Sequence, residues 1–249
     1  MTALLDVRGA EKSYGAVRAL DGVDLHVDAG EVVALLGDNG AGKSTLVKAI
    51  GGVHRLDAGE VRVDGRVVDL RSPAEARGLG IETLHQDLAL FDNLRPTDNF
   101  YAGRELAGPV WLPRSLRLLK RKRMTESTRE VLERLQVSLP DFQTTVGLMS
   151  GGQRQAVAVS RAAAFAAKVV ILDEPTAALG VRESRRVLDL ILRLRSEKRA
   201  VIVVSHAMDH VMEIADRAVV LRRGRKVGEL VPSSETYTEI VSLIVGGGE

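Results

Sequence analysis

The chain of 249 residues contains no cysteine, which removes disulfides and thiolate metal sites from consideration and is compatible with a reducing compartment. Aromatic residues make up only 3 % of it, so a buried core has to be aliphatic. No apolar stretch reaches the roughly 20 residues of a membrane-spanning helix. The best candidate, "AAAFAAKVVIL", is broken by Lys168 and runs into Asp173. The opening segment, "MTALLDVRGAEKSYG", has no apolar run of the kind a signal peptide carries, so work at a membrane is expected to depend on another chain. A strong charge of one sign is also missing. The formal charge of +2 is no general nucleic-acid-binding balance, and no nucleic-acid partner is expected.

What is present is an ordinary globular composition, 45 % hydrophobic and 27 % charged, in a length that suits one domain with a subdomain. Three short apolar runs rich in Val and Ile, "GEVVALLG" (30–37), "AKVVILDEP" (167–175) and "RAVIVVSH" (199–206), read as strands buried on both faces of a parallel sheet. Helical patterns lie between them. "KSTLVKAIGG" stops at Gly51 and Gly52, and "RRVLDLILRLRSE" puts Val187, Leu190, Ile191 and Leu194 on one face. The alternation predicts an α/β fold with a mostly parallel sheet. "GEVRVDGRVVDL" (59–70) turns at Asp64-Gly65 and, with the alternating N-terminal segments, predicts a small antiparallel β subdomain. The expected division is a core of 1–86 and 159–232, an inserted helical subdomain of 87–158 with its clearest helix in "RMTESTREVLERLQV" (123–137), and a C-terminal tail of 233–249 with a loose end.

The chemistry is concentrated in three places. Gly37, Asp38, Asn39, Gly40, Ala41, Gly42, Lys43 and Ser44 fit G-x-x-x-x-G-K-[ST] between an apolar strand and a helix. Glycines let such a loop curl so that its N–H groups converge on phosphate oxygens, and the helix start adds positive charge. Lys43 is expected on the β- and γ-phosphates and the Ser44 hydroxyl on Mg²⁺, with Thr45 completing the nucleotide contacts. "VVILDEP" supplies adjacent carboxylates at a strand's C-terminal end, Asp173 for Mg²⁺ and Glu174 to polarise an attacking water. His206 ends a neighbouring strand and is expected to touch the γ-phosphate; a two-histidine metal face with His210 is the less economical reading. Ser150, Gly151, Gly152 and Gln153, followed by a helix, form an anion site without a lysine. Two phosphate grips and one lysine are reconciled when two chains pack head to tail, each "SGGQ" covering the phosphates held by the other chain's Lys43, with ATP as the glue of a two-fold dimer. The densest basic run, "RSLRLLKRKR" (114–123), is read as a solvated face, with anionic lipid or nucleic acid as its alternatives, the latter weakened by the absence of interleaved aromatics.

In this order the motifs resemble the nucleotide-binding domain of the ATP-binding cassette family, a P-loop NTPase fold, over essentially the whole chain. The resemblance implies that Tyr14 in "KSYGAVRAL" stacks on adenine. It implies that Gln86 in "ETLHQDLALF" senses the γ-phosphate and Mg²⁺ where a membrane partner docks, and that "MSGGQ" is the family signature, with Met149 where leucine is usual. By the same resemblance Lys43, Gln86, Glu174 and His206 are the catalytic set, and Ser44, Gln86 and Asp173 hold the metal. One departure stands out: after Pro175 the family has a loop ending in Leu-Asp, whose aspartate crosses the dimer, and here "TAALG" puts Gly180 there. "GDNGAGKST", "IETLHQDLALFDNL" and "DEPTAALGVRES" are similar to the ATPases of bacterial ribose, xylose and fructose importers, in the version with one cassette per chain. The implied protein is a homodimeric ATPase on the cytoplasmic face of the membrane, bound to transmembrane permease subunits that a secreted sugar-binding protein feeds. Import of another solute, such as an amino acid or nucleoside, uses the same residues. A cytosolic cassette working on DNA or ribosomes and a non-hydrolysing regulatory cassette are the other readings.

Overall fold

A computed structural model describes residues 3–85, 87–109, 111, 113, 116–139, 141–177 and 179–246. The three apolar runs become β3 (Val32–Leu36), β9 (Val169–Asp173) and β10 (Ala200–Val204). They form the centre of a six-stranded sheet. Its order is β12 (Arg225–Leu230), β11 (Arg217–Arg222), β3, β10, β9, β6 (Ile81–Leu84). All neighbours are parallel except the terminal β11–β12 hairpin. The register pairs Val204 with both Leu35 and Asp173, so the C-terminal ends of β3, β9 and β10 finish side by side.

Both faces of this sheet are covered, which is why its strands read as unbroken apolar runs. Val33, Leu35, Ile171, Ile202 and Val204 pack toward a second, antiparallel sheet. That sheet has the order β2 (Val17–Val27), β1 (Leu5–Tyr14), β4 (Ala58–Val63), β5 (Arg66–Val68). Asp64 and Gly65 both take positive φ, 50° and 72°, as the tight β4–β5 turn requires. Helices α1 (Lys43–Ile50) and α2 (Pro73–Gly78) belong to this side of the molecule. The opposite neighbours along the strands, Val170, Leu172, Val201 and Val203, pack toward helices α5 (Gly151–Phe165) and α6 (Val181–Ser196). Val187, Leu190, Ile191 and Leu194 are the buried stripe of α6, as their spacing predicts.

Between β6 and α5 lie α3 (Pro96–Tyr101), a two-stranded ribbon of β7 (Ala107–Gly108) and β8 (Leu118–Leu119), and α4 (Arg121–Arg134). This part has its own apolar cluster, built from Phe100, Tyr101, Met124, Leu132, Val146, Met149 and Val157. Two details differ from the sequence reading. The ribbon falls in a stretch expected to be helical. And α4 spans 121–134 rather than 123–137, because Gln136 adopts a left-handed φ of 53° that an α-helix cannot continue through. Helix α5 runs unbroken across the boundary expected at 158, so the two parts share one rigid element. Helix α7 (Met208–Ile214) follows β10, and the tail carries α8 (Tyr237–Val245), which buries Ile240 beside β11. The end of the tail, 247–249, is outside the described residues.

Candidate active site

The loop between β3 and α1 owes its path to glycine. Gly37, Gly40 and Gly42 have φ of 143°, 80° and 107°, a region that side chains avoid. A Cβ on Gly37 would stand 2.2 Å from the Leu221 carbonyl oxygen, and one on Gly42 2.6 Å from that of Ala19. Gly40 faces open space. The loop folds back over Lys43, whose Nζ donates to the carbonyl oxygens of Gly37 at 2.7 Å and Asp38 at 3.0 Å. Burial pushes the Lys43 ammonium down from its ordinary value, against the pull of Glu174, Asp173 and Asp38. Ser44 is exposed at the first turn of α1, beside half-buried Thr45.

Because the strands end in register, the next two groups arrive at the same edge. Asp173 closes β9, and Glu174 follows in a left-handed conformation at φ 53°, its backbone N–H donating to the Val204 carbonyl at 2.9 Å. A non-glycine residue held there is strained, and such strain collects at functional positions. The twist presents the Glu174 carboxylate to His206: Oε1 lies 3.5 Å from Nε2, beyond hydrogen-bond reach, and this buried oxygen has no hydrogen-bond partner. Burial is the main reason that both Asp173 and Glu174 are raised above the ordinary carboxylate range; the mutual repulsion adds to it for Glu174, and nearby His206 opposes it for both.

These residues line one open cleft of about 530 Å³, shared by Tyr14, Asn39 to Thr45, Asp173, Glu174 and His206, a size within the usual range for a small-molecule site. Gly37 and Asp38 hold Lys43 through their carbonyl oxygens rather than lining the cleft, and Asp38 borders a neighbouring hollow. Tyr14 stands half-exposed at the mouth, steadied edge-on by His54 at 5.6 Å between ring centroids. Gln86 lies outside the described residues.

Sequence reasoning passed over three groups here. His54 braces Tyr14. Arg223, at the β11–β12 turn with φ 48°, lines the cleft. His85 directly follows β6, which pairs with β9, and its imidazole is driven toward the neutral form chiefly by burial while the charge of Asp173 opposes this. Only His85 had a usable signal, as the residue just past a strand neighbouring the carboxylate strand. His210 pairs with Thr176, Nδ1 to Oγ1 at 3.0 Å, and the described residues hold no cluster of three or more metal-ligating side chains.

The stretch expected to be a second phosphate grip, Ser150 to Gln153, stands elsewhere and opens α5. Ser150 caps α5 reciprocally: its hydroxyl accepts from the Gln153 N–H at 3.3 Å, and its own N–H donates to the Gln153 side-chain oxygen at 2.9 Å. Ser150 and Gly151 are exposed. Ser150, Gly152 and Gln153 border a separate hollow of about 440 Å³ against α6, and none of the four borders the cleft of Lys43. Met149 is buried in the cluster of the helical part, where its flexible thioether substitutes for a leucine. Gly180, the N-cap of α6, offers no side-chain cap; a Cβ there would meet the Glu183 carboxylate at 2.7 Å, and the same side chain fills the space before Gly152.

The geometry agrees with what the chain is similar to. The family model described as "ABC transporter" matches residues 20–177. The fructose import ATP-binding protein FrcA of Rhizobium meliloti is 46 % identical over 99 % of this chain and 95 % of its own length. The xylose/arabinose import ATP-binding protein XylG of Sulfolobus acidocaldarius is 47 % identical over 98 % and 94 %. Among solved structures, a nucleotide-free ATP-binding cassette from an ABC transporter superposes with a TM-score of 0.84 at 26 % identity, covering 98 % of this chain and 97 % of that one.

Proposed function

The chain belongs to the ABC transporter family, as an ATPase cassette, and from that premise we propose that it is the ATP-hydrolysing subunit of a monosaccharide importer. The observation that carries the catalytic part is the meeting of Lys43, Asp173, Glu174 and His206 in one cleft, while the Ser150 grip of the same chain opens elsewhere. The residues fit a magnesium nucleotide. The loop is a cradle that side chains would fill, Ser44 offers a free-standing hydroxyl, and a buried carboxylate oxygen lacks a partner. ATP supplies the phosphoanhydride bond; Ser44, Asp173 and Gln86 would hold Mg²⁺, which would neutralise phosphate charge. Lys43 gives up its two carbonyl contacts to reach the phosphates. Glu174, a stronger base for its burial, takes a proton from the attacking water, and His206 orients the group beside it.

Two copies close head to tail so that Ser150, Gly151, Gly152 and Gln153 of one cover the nucleotide of the other. Closure and reopening drive the membrane permease subunits, which contact the chain near Gln86 and residues 87–105. An extracytoplasmic sugar-binding protein delivers the sugar. The chain then sits on the cytoplasmic face of the membrane, held there by its partners. The sugar assignment rests on the similarity to FrcA and XylG, both matched along nearly their full length by this single cassette. Co-purification from gently solubilised membranes tests it: a polytopic permease and a sugar-binding protein are expected. An amino-acid or nucleoside receptor replaces the sugar assignment, and ribosomes or DNA-processing proteins overturn transport.

A further inference from the structure

The β7–β8 ribbon breaks the rule that exposed apolar side chains come singly. Trp111 is 82 % exposed, Leu118 79 % and Leu116 63 %, and Leu119 is exposed as well. The base of the ribbon is fixed, not frayed: Ala107 pairs with Leu119, Gly108 with Leu118, and the Lys120 N–H donates to the Leu106 carbonyl at 2.7 Å. Four exposed cations follow at once, Lys120, Arg121, Lys122 and Arg123. They occupy the N-cap and first turn of α4, which has no acidic residue there. Positive charge at a helix N-terminus opposes the helix dipole, so their placement works against the stability of α4. Among the described residues none of the four joins an ion pair. A tryptophan and leucines standing out of the fold beside uncompensated cations break two local rules together, and such places mark function more than folding.

We propose that the ribbon and the start of α4 form a membrane-surface contact for anionic lipid, with Trp111, Leu116 and Leu118 entering the headgroup boundary and Lys120 to Arg123 facing lipid phosphates. The chemistry is that of interfacial anchoring: amphipathic aromatic and aliphatic groups at the boundary, and Lys or Arg drawn by the negative surface potential. No helix among the described residues is long and apolar enough to cross a membrane, so a direct lipid contact has to come from the surface. The place in the fold is suitable. The ribbon starts three residues after Arg104, which with Ala102 and Gly103 lines an open hollow of about 390 Å³ beside His85, on the side assigned above to the permease. The inference builds on the membrane-side reading above, but lipid binding needs neither nucleotide nor permease and is measured apart from them.

The chain has a single tryptophan, so its fluorescence reports on the ribbon alone. The purified full chain is titrated with vesicles of phosphatidylcholine and with vesicles in which part of it is replaced by phosphatidylglycerol. The expected result is a blue shift and co-sedimentation with the anionic vesicles only, reversed by high salt. The doubly substituted Lys122→Gln/Arg123→Gln chain should bind roughly 25-fold more weakly, about fivefold for each charge. Leu118→Ser should bind more weakly as well, and ATP hydrolysis in solution should be unchanged in both. An unshifted emission with anionic vesicles, in a chain that still hydrolyses ATP, overturns the proposal; so does equal binding to both vesicle types. If the emission shifts only when a permease is present, the patch is a protein contact and the lipid assignment is wrong.

Discussion

At the scale of single residues, Glu174 carries the largest opposing effects. Its backbone is strained, its carboxylate is desolvated, and one oxygen has no hydrogen-bond partner. Replacing it with glutamine keeps the shape and removes the base. Turnover of ATP should fall by about 10²–10⁴-fold with nucleotide affinity retained, measured by phosphate release and by a fluorescent nucleotide. Unchanged turnover would remove Glu174 from the reaction. The same substitution has a consequence for stability. Because Asp173 and Glu174 are raised on folding, the native state binds more protons than the unfolded one between the ordinary carboxylate value and the raised one. The stability of the nucleotide-free chain therefore drops as pH rises through that window, and the cost persists at neutral pH. Glu174→Gln should raise the nucleotide-free melting temperature at pH 7, and the gain should vanish on acidification below the ordinary carboxylate range. A gain that persists in acid would place its origin outside this desolvation.

At the scale of elements, the sheet is what assembles the site. Ile202, on the central strand β10, packs between the sheets with no exposure, so Ile202→Ala should cost about 2–5 kcal/mol and lower the midpoint of denaturant unfolding without changing the order of motifs. A second link joins elements that carry different motifs. Arg161 on α5 donates to the carbonyl oxygens of Ala89 at 2.8 Å and Leu88 at 3.0 Å, three and two residues past Gln86. Ala89 itself is held at φ 47°. Arg161→Ala should cost on the order of 1–2 kcal/mol and weaken the ATP dependence of closure, whereas an unaltered midpoint would make the contact incidental. The central strands were legible in the sequence because burial on both faces writes a continuous apolar run, and the hairpin because Asp64-Gly65 demands positive φ twice. The β7–β8 ribbon was not, since two residue pairs leave no alternation to detect. The cleft was legible wherever a motif fixes spacing, at Asn39 to Ser44 and at Asp173-Glu174. His54 and Arg223 were hidden because one braces Tyr14 and the other lines the cleft through turn geometry that only the folded chain reveals.

At the scale of the whole molecule, the Ser150 stretch and the Lys43 loop of one chain border two different hollows, and a nucleotide held by Lys43 is proposed to be completed by a second copy. Complementation tests this claim most directly. Lys43→Ala removes the first grip. Ser150→Asp keeps a side-chain oxygen to cap α5 and sets a negative charge against the phosphates. In a mixed dimer one site combines both defects, and the other unites an intact Lys43 with an intact Ser150. ATP hydrolysis should be lost in each variant alone and return when the two are mixed. If each variant alone is inactive and the mixture stays inactive although the two chains associate, the nucleotide is not shared between chains and the account is contradicted.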